Sequence, residues 1–202
     1  MGQTIIEKII SHNIGAESVK PGEIVTVAVD RVMLDDIMIP FIVDKFHEMG
    51  FTKVWDPDKV VLIYDHLVPA SQLDDTRHYK VGDEFVRRYG IENIHRSDGI
   101  CHQLMTEAGY VKPGDVVFGT DSHTTTYGCV GAFSTGIGYT EMAAILALGI
   151  PAFSEQKPKN KVPAESASQH MEPYSANIFA LSAAGNTDCI TNFSIIVMEI
   201  HR

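Results

Sequence analysis

Val60-Val-Leu-Ile-Tyr64 is continuously apolar and stops at Asp65-His66. A strand wetted on one face would alternate, so this unbroken, partly β-branched run reads as a strand covered on both faces. Two more runs share the form. Ile24 to Val29 follows the turn signal Pro21-Gly22 and ends at Asp30, while Val116-Val-Phe118 leads into Gly119-Thr-Asp-Ser-His123. These two runs are introduced by one device, Val19-Lys-Pro-Gly-Glu23 and Val111-Lys-Pro-Gly-Asp115. It is a local echo, not a repeat architecture.

Helical patterns separate the runs. Ile5, Ile6, Ile9 and Ile10 recur at helical spacing behind Thr4, with Glu7 three positions on, and this capping box predicts a helix over 4–12. A second, amphipathic helix is expected over 40–49, from Pro40 to a stop at Gly50, with further candidates near 79–88 and 100–108. Gly128 to Gly138 reads as a glycine-rich loop running into a helix over 140–148. It fits neither dinucleotide fingerprint nor P-loop, because Glu141 stands where the third glycine belongs and no Gly-Lys-Ser/Thr follows, so no nucleotide is assigned. Doubly covered strands alternating with helices predict an α/β fold: a three-layer α/β/α domain with a mainly parallel sheet.

Composition narrows the function classes. The 202 residues hold 16 Lys+Arg against 26 Asp+Glu, a net charge of −10, which opposes a nucleic-acid partner. At 45% apolar and 21% charged the chain is of ordinary globular type. Cys101, Cys129 and Cys189 form no C-x-x-C and no disulfide framework, which points to a reducing compartment. Glu7-Lys8 interrupts the apolar N-terminus before a signal-peptide core can form, Ile6 stands where myristoylation needs Ser or Thr, and no stretch is long enough to span a membrane. A cytoplasmic protein without membrane contact is expected. One domain is expected over 1–150. The segment 151–175, with Pro151, Pro158, Pro163 and Pro173, reads as loop or linker, followed by a short helix over 178–184 and a strand over 195–198.

In parallel α/β sheets ligands bind beyond the carboxyl ends of the strands. Asp30, Asp65 and Asp121 are expected to converge at that edge, although any one of them equally reads as a helix cap. Histidines change the balance. His66 follows Asp65, His123 stands two after Asp121, and His102 opens a helix after Gly99-Ile-Cys101. An imidazole beside a carboxylate titrates near neutral pH and suits proton transfer. Asp121-Ser122-His123 tempts a Ser-His-Asp reading, but three consecutive residues at a strand end point in different directions and are expected to meet a ligand separately.

Phe118-Gly-Thr-Asp-Ser-His-Thr-Thr-Thr126, Asp65-His66 with Pro69, Gly99-Ile-Cys-His-Gln103, Gly131-Ala-Phe-Ser-Thr-Gly-Ile-Gly138 and the opening Gly2-Gln-Thr-Ile-Ile-Glu-Lys-Ile9 together resemble the N-terminal part of the aconitase superfamily. Within it they are most similar to the branch of 3-isopropylmalate dehydratase large subunits, homoaconitases and methylmalate dehydratases. The resemblance covers about residues 1–150. It implies a hydro-lyase acting on a small hydroxy-dicarboxylate such as 3-isopropylmalate, in leucine biosynthesis, with a four-iron four-sulfur cluster and a separate small subunit. By the same resemblance His102 with Asp121, and His66 with Asp65, are the catalytic pairs, while Ser122, His123 and Thr124 contact substrate.

The family's cluster cysteines lie beyond the first two hundred residues. The resemblance therefore implies a truncated or divergent large-subunit fragment, incomplete for catalysis, with no metal ligand assigned within this chain and the remainder of the large subunit as a partner. At Leu34-Asp35-Asp36 relatives carry histidine or glutamine, and Asp35 there repels a dicarboxylate unless it is protonated or bound to a cation. Two alternatives stay open: a non-catalytic small-acid-binding module without the cluster, and a mononuclear metal hydrolase built on Asp65, His66, Asp121 and His123.

Overall fold

The computed structural model describes residues 2–20 and 23–150, together with the backbone strands 178–180 and 196–198. The chain divides into two units, Met1–Val19 with Thr26–Ala152, and Lys20–Val25 with Phe153–Arg202. In the first, five strands form one all-parallel sheet: β1 (Arg31–Asp35), β2 (Val60–Tyr64), β3 (Asn93–Arg96), β4 (Val116–Gly119) and β5 (Phe133–Gly136), in the order β3-β2-β1-β4-β5. Helices α1 (Ile5–Asn13), α2 (Ile39–Glu48), α3 (Asp75–Tyr89), α4 (Cys101–Glu107) and α5 (Tyr139–Leu148) make the crossovers and outer layers. This is the three-layer α/β architecture that the apolar runs predict.

The continuous run is the reason for the burial. Every residue of β2 is buried, and its side chains alternate between faces. Val61 and Ile63 join Met33, Val117, Cys101, Met105 and Tyr127 in one core cluster, while Leu62 and Tyr64 lie against Gly82 of α3. Helix α1 starts where the capping box places it: Glu7 N–H donates to Thr4 Oγ1 (3.2 Å) and Thr4 N–H to Glu7 Oε2 (2.6 Å).

Four local expectations are corrected. Residues 24–29 are not a strand, and β1 begins at Arg31. Val27 and Val29 are buried without pairing, so burial rather than strand formation explains their apolar character. Asp30 consequently lies at the amino edge of the sheet, where it accepts from Val116 N–H (2.9 Å) at the start of β4, and does not join the others. The loop read over 128–138 contains β5, and β3 was not anticipated. Both are edge strands, half-exposed and without an apolar run. In the second unit residues 178–180 form a strand, not a helix, antiparallel to 196–198, where a strand was expected over 195–198. The loop or linker read over 151–175 lies outside the described residues.

From β1 the chain winds outward through β2 to β3, then returns to place β4 on the other side of β1. The loops after β1 and β4 therefore part in opposite directions and open a crevice at the carboxyl edge.

Candidate functional site

Three segments reach this crevice. Asp65-His66 leaves β2, Asp121-Ser122-His123 leaves β4, and Cys101-His102 opens α4. Asp65 ties two of them together: one carboxylate oxygen accepts from His66 Nδ1 (2.7 Å), the other from Cys101 N–H (2.6 Å). Asp121 ties in the third. Its Oδ1 accepts from His102 Nε2 (2.8 Å) and His123 N–H (2.7 Å), with His123 Nδ1 at 3.2 Å, while its Oδ2 stands 3.7 Å from His66 Nε2. One carboxylate thus lies between two imidazoles from separate segments. The His102 and His123 rings stand edge-on, 6.0 Å apart.

The floor below is built from Asp36 and Tyr127, to which the sequence assigned no role, and from Asp35. Asp36, fully buried, accepts from His66 N–H (3.1 Å) and Leu67 N–H (2.9 Å), one with each oxygen. Asp35, expected to face substrate, is turned inward: Thr120 Oγ1–H (2.6 Å) and Met38 N–H (2.8 Å) donate to it. Tyr127, fully buried, places its hydroxyl 3.3 Å from His102 Nδ1. An aspartate directly after a strand was the available signal for Asp36, and it was hidden because the strand was expected over 24–29 and lies over 31–35. Tyr127 carries no local signal.

Of the residues expected to touch substrate, His123 is largely exposed, whereas Thr124 is fully buried and its hydroxyl donates to the Asp121 carbonyl (2.6 Å), closing the turn. Ser122 Oγ lies 3.4 Å from His123 Nδ1, so neighbours in this stretch do meet. Serine and aspartate nevertheless share one ring nitrogen. A relay needs one on each, so no triad forms.

Electrostatics follow from these contacts. Burial alone would depress His66, but the Asp65 hydrogen bond with the charges of Asp65, Asp35 and Asp36 raises its pKa overall. For Asp121 burial is outweighed by the donors His123 N–H and His102, and its pKa is lowered. Asp35 is raised, mainly by burial, against the pull of Thr120 and Met38. Cys101 is raised by burial and then by Asp65, so its thiol holds its proton.

Among the described residues two groups have donor atoms close enough to share an ion: Asp65, His66 and Cys101, and His102, Asp121 and His123. Neither is a three-thiolate set. Among the described residues the cysteines are buried Cys101 and exposed Cys129, so these residues do not fit an iron–sulfur cluster, and no step is derived through one. Among the described residues no helix is long and apolar enough to cross a membrane.

The Aconitase family (aconitate hydratase) profile matches residues 7–160. A 3-isopropylmalate dehydratase large subunit of Methanopyrus kandleri is 47% identical over 150 residues, covering 74% of this chain and 36% of the relative. A probable 3-isopropylmalate dehydratase large subunit of Methanothermobacter thermautotrophicus is 44% identical over 150 residues, with the same coverage. A large subunit from a Sulfurihydrogenibium species is 44% identical over 151 residues, covering 74% of the chain and 35% of the relative. The chain spans little more than a third of the length of these relatives.

Proposed function

The chain belongs to the aconitase family, and from that premise we propose that residues 1–150 supply the proton-transfer half of a hydro-lyase site for a small hydroxy-dicarboxylate such as 3-isopropylmalate. The carrying observation is the Asp121 carboxylate lying between His102 Nε2 and His66 Nε2. Loss of hydroxide from a carbon needs a proton delivered to the departing oxygen. His66 gives its Nδ1 proton to the hydrogen bond with Asp65, so Nε2, facing the crevice, carries a second proton in the imidazolium form that the raised pKa favours. His102 is held by Asp121 on one nitrogen and Tyr127 on the other. Ser122 and His123 are exposed at the open side, which supports reading them as substrate contacts.

The remaining parts of the site belong, on this reading, to the rest of a large subunit and to a small subunit, as the names of the relatives imply. Their names also support a place in leucine biosynthesis, and on this reading the chain works in the cytoplasm. The iron–sulfur cluster of the family, when bound, supplies a Lewis acid for the hydroxyl. Its thiolates are not among the described residues.

A chimera tests this. Residues 1–150 replace the matching segment of the Methanopyrus kandleri large subunit, and the product is combined with its small subunit under anaerobic conditions. Hydration of the unsaturated diacid, followed by loss of the conjugated-alkene absorbance, is expected, and His102→Gln should abolish it. A folded chimera that binds the diacid without turnover would support the non-catalytic module instead.

A further inference from the structure

The carboxyl edge has an imbalance of charge. Asp35, Asp36, Asp65 and Asp121 all lie there, bonded to one another's segments, and among the described residues no Lys or Arg forms an ion pair with any of them. The described ion pairs of Lys and Arg go elsewhere, to Glu48, Glu84 and Asp83. Among the described residues the ring nitrogens that approach these carboxylates belong to His66, His102 and His123.

Two imidazoles and a carboxylate are also a ligand set for a divalent cation of borderline softness. We propose that His102 Nε2, Asp121 and His123 Nδ1 form a binding site for an ion of the zinc class. Two donors on a tetrahedral ion at 2.0–2.1 Å stand about 3.3 Å apart. Here Asp121 Oδ1 lies 2.8 Å from His102 Nε2 and 3.2 Å from His123 Nδ1, and the three donor atoms fall within 4.8 Å of one another. Replacing the shared proton by the ion requires only that the first contact open by about half an ångström. Tyr127, at 3.3 Å from the other nitrogen of His102, supports the ligating ring from behind, as outer partners of metal-bound histidines do.

The other candidate group is the poorer site. Cys101 is completely buried, so an ion reaches its sulfur only by opening the core. In the proposed group His123 is 78% exposed, which gives an ion its way in. Three protein ligands leave a coordination position free for water or an acid oxygen. The ion also removes the lone pair that His102 uses in proton transfer, so occupancy and hydro-lyase turnover exclude each other. The binding claim itself does not rest on the hydro-lyase reading.

The full chain, freed of metal by chelation, is titrated with zinc chloride by calorimetry and with cobalt(II) by visible absorption. One ion per chain, with the ligand-field bands of a nitrogen–oxygen site, is expected. His123→Ala should weaken binding by more than the ~10–100-fold typical of losing an outer partner, and, with that side chain so exposed, without change in the circular dichroism. His102→Gln should do the same, while Cys101→Ser and Cys129→Ala leave the affinity unchanged. Absence of binding overturns the proposal. So does binding that survives His123→Ala, which places the ion on another surface histidine, or a thiolate charge-transfer band lost in Cys101→Ser, which places it on the other group. Turnover of the chimera bears on neither result.

Discussion

Asp121 meets His102 at 2.8 Å, a contact between the end of β4 and the first turn of α4 made across nineteen positions of sequence. Its second oxygen stands 3.7 Å from His66, so the same carboxylate faces a ring from β2. Asp121→Asn retains the shape and loses the charge. In the chimeric enzyme kcat should fall by about 10²–10⁴, the range spanned by general acid–base groups, with KM changed far less. Steady-state kinetics decide it, and an unchanged kcat would remove Asp121 from the proton path.

Asp36 acts through the backbone. Its two oxygens receive the amide protons of His66 and Leu67, so it fixes the turn that aims the His66 ring. In Asp36→Asn one of those amides faces an NH2 group. A buried amide left without its acceptor costs about 1–3 kcal/mol. Urea denaturation of the chain should show that loss, and the chimera should lose kcat through displacement of His66. Full stability in the variant would mean that the turn is held elsewhere.

The reach of sequence reading can be followed along the crevice. Asp65-His66 was legible because β2 is apolar throughout and its end is marked by the first charge. Asp121 and His123 were legible for the same reason after β4. Asp35 was noticed as an obstacle to a dicarboxylate, but the inward, structural role of Asp35 and Asp36 was missed because β1 opens with Arg31, whose guanidinium reaches backbone carbonyls of Tyr110 and Asp58 at the amino edge, and a charged first residue hides a central strand. Edge strands β3 and β5 have one neighbour each and need no continuous apolar run, so periodicity had nothing to detect. Thr124 looks like a ligand contact in the string Thr124-Thr-Thr126. Only the turn geometry reveals that its hydroxyl is spent on Asp121's carbonyl.

Gly136, the last residue of β5, lies directly under the Asp121-Ser122 backbone. A Cβ there would stand 2.9 Å from Ser122 Cα and collide with the Asp121 carbonyl oxygen. Backbone cannot yield as a side-chain tip can, so Gly136→Ala should cost about 1–3 kcal/mol by overpacking and push Asp121 away from His102. Thermal unfolding measures the first effect and chimera kinetics the second. Gly128→Ala, where nothing lies within 4 Å, is the control expected to leave both unaltered.

Two groups at the crevice make the fold lose stability as pH rises, in different windows. Asp35 has its pKa raised above 3.8 chiefly by burial, so the unfolded chain gives up this proton first, and stability falls from that value upward until the folded carboxyl also ionises. His66, raised above 6.5, contributes stability that is complete below 6.5 and is lost as pH climbs through its folded value. Asp35→Asn should flatten the lower window: an amide has no proton to lose, its oxygen still accepts from Met38 N–H, and Thr120 can turn its hydroxyl to receive the NH2. The variant should therefore gain on the parent as pH increases from 4 toward neutrality, while His66→Gln should flatten the upper window alone. Urea midpoints measured across pH separate the two. If Asp35→Asn lost as much stability at neutral pH as at pH 4, the raised pKa of the buried carboxyl would not be setting the lower window.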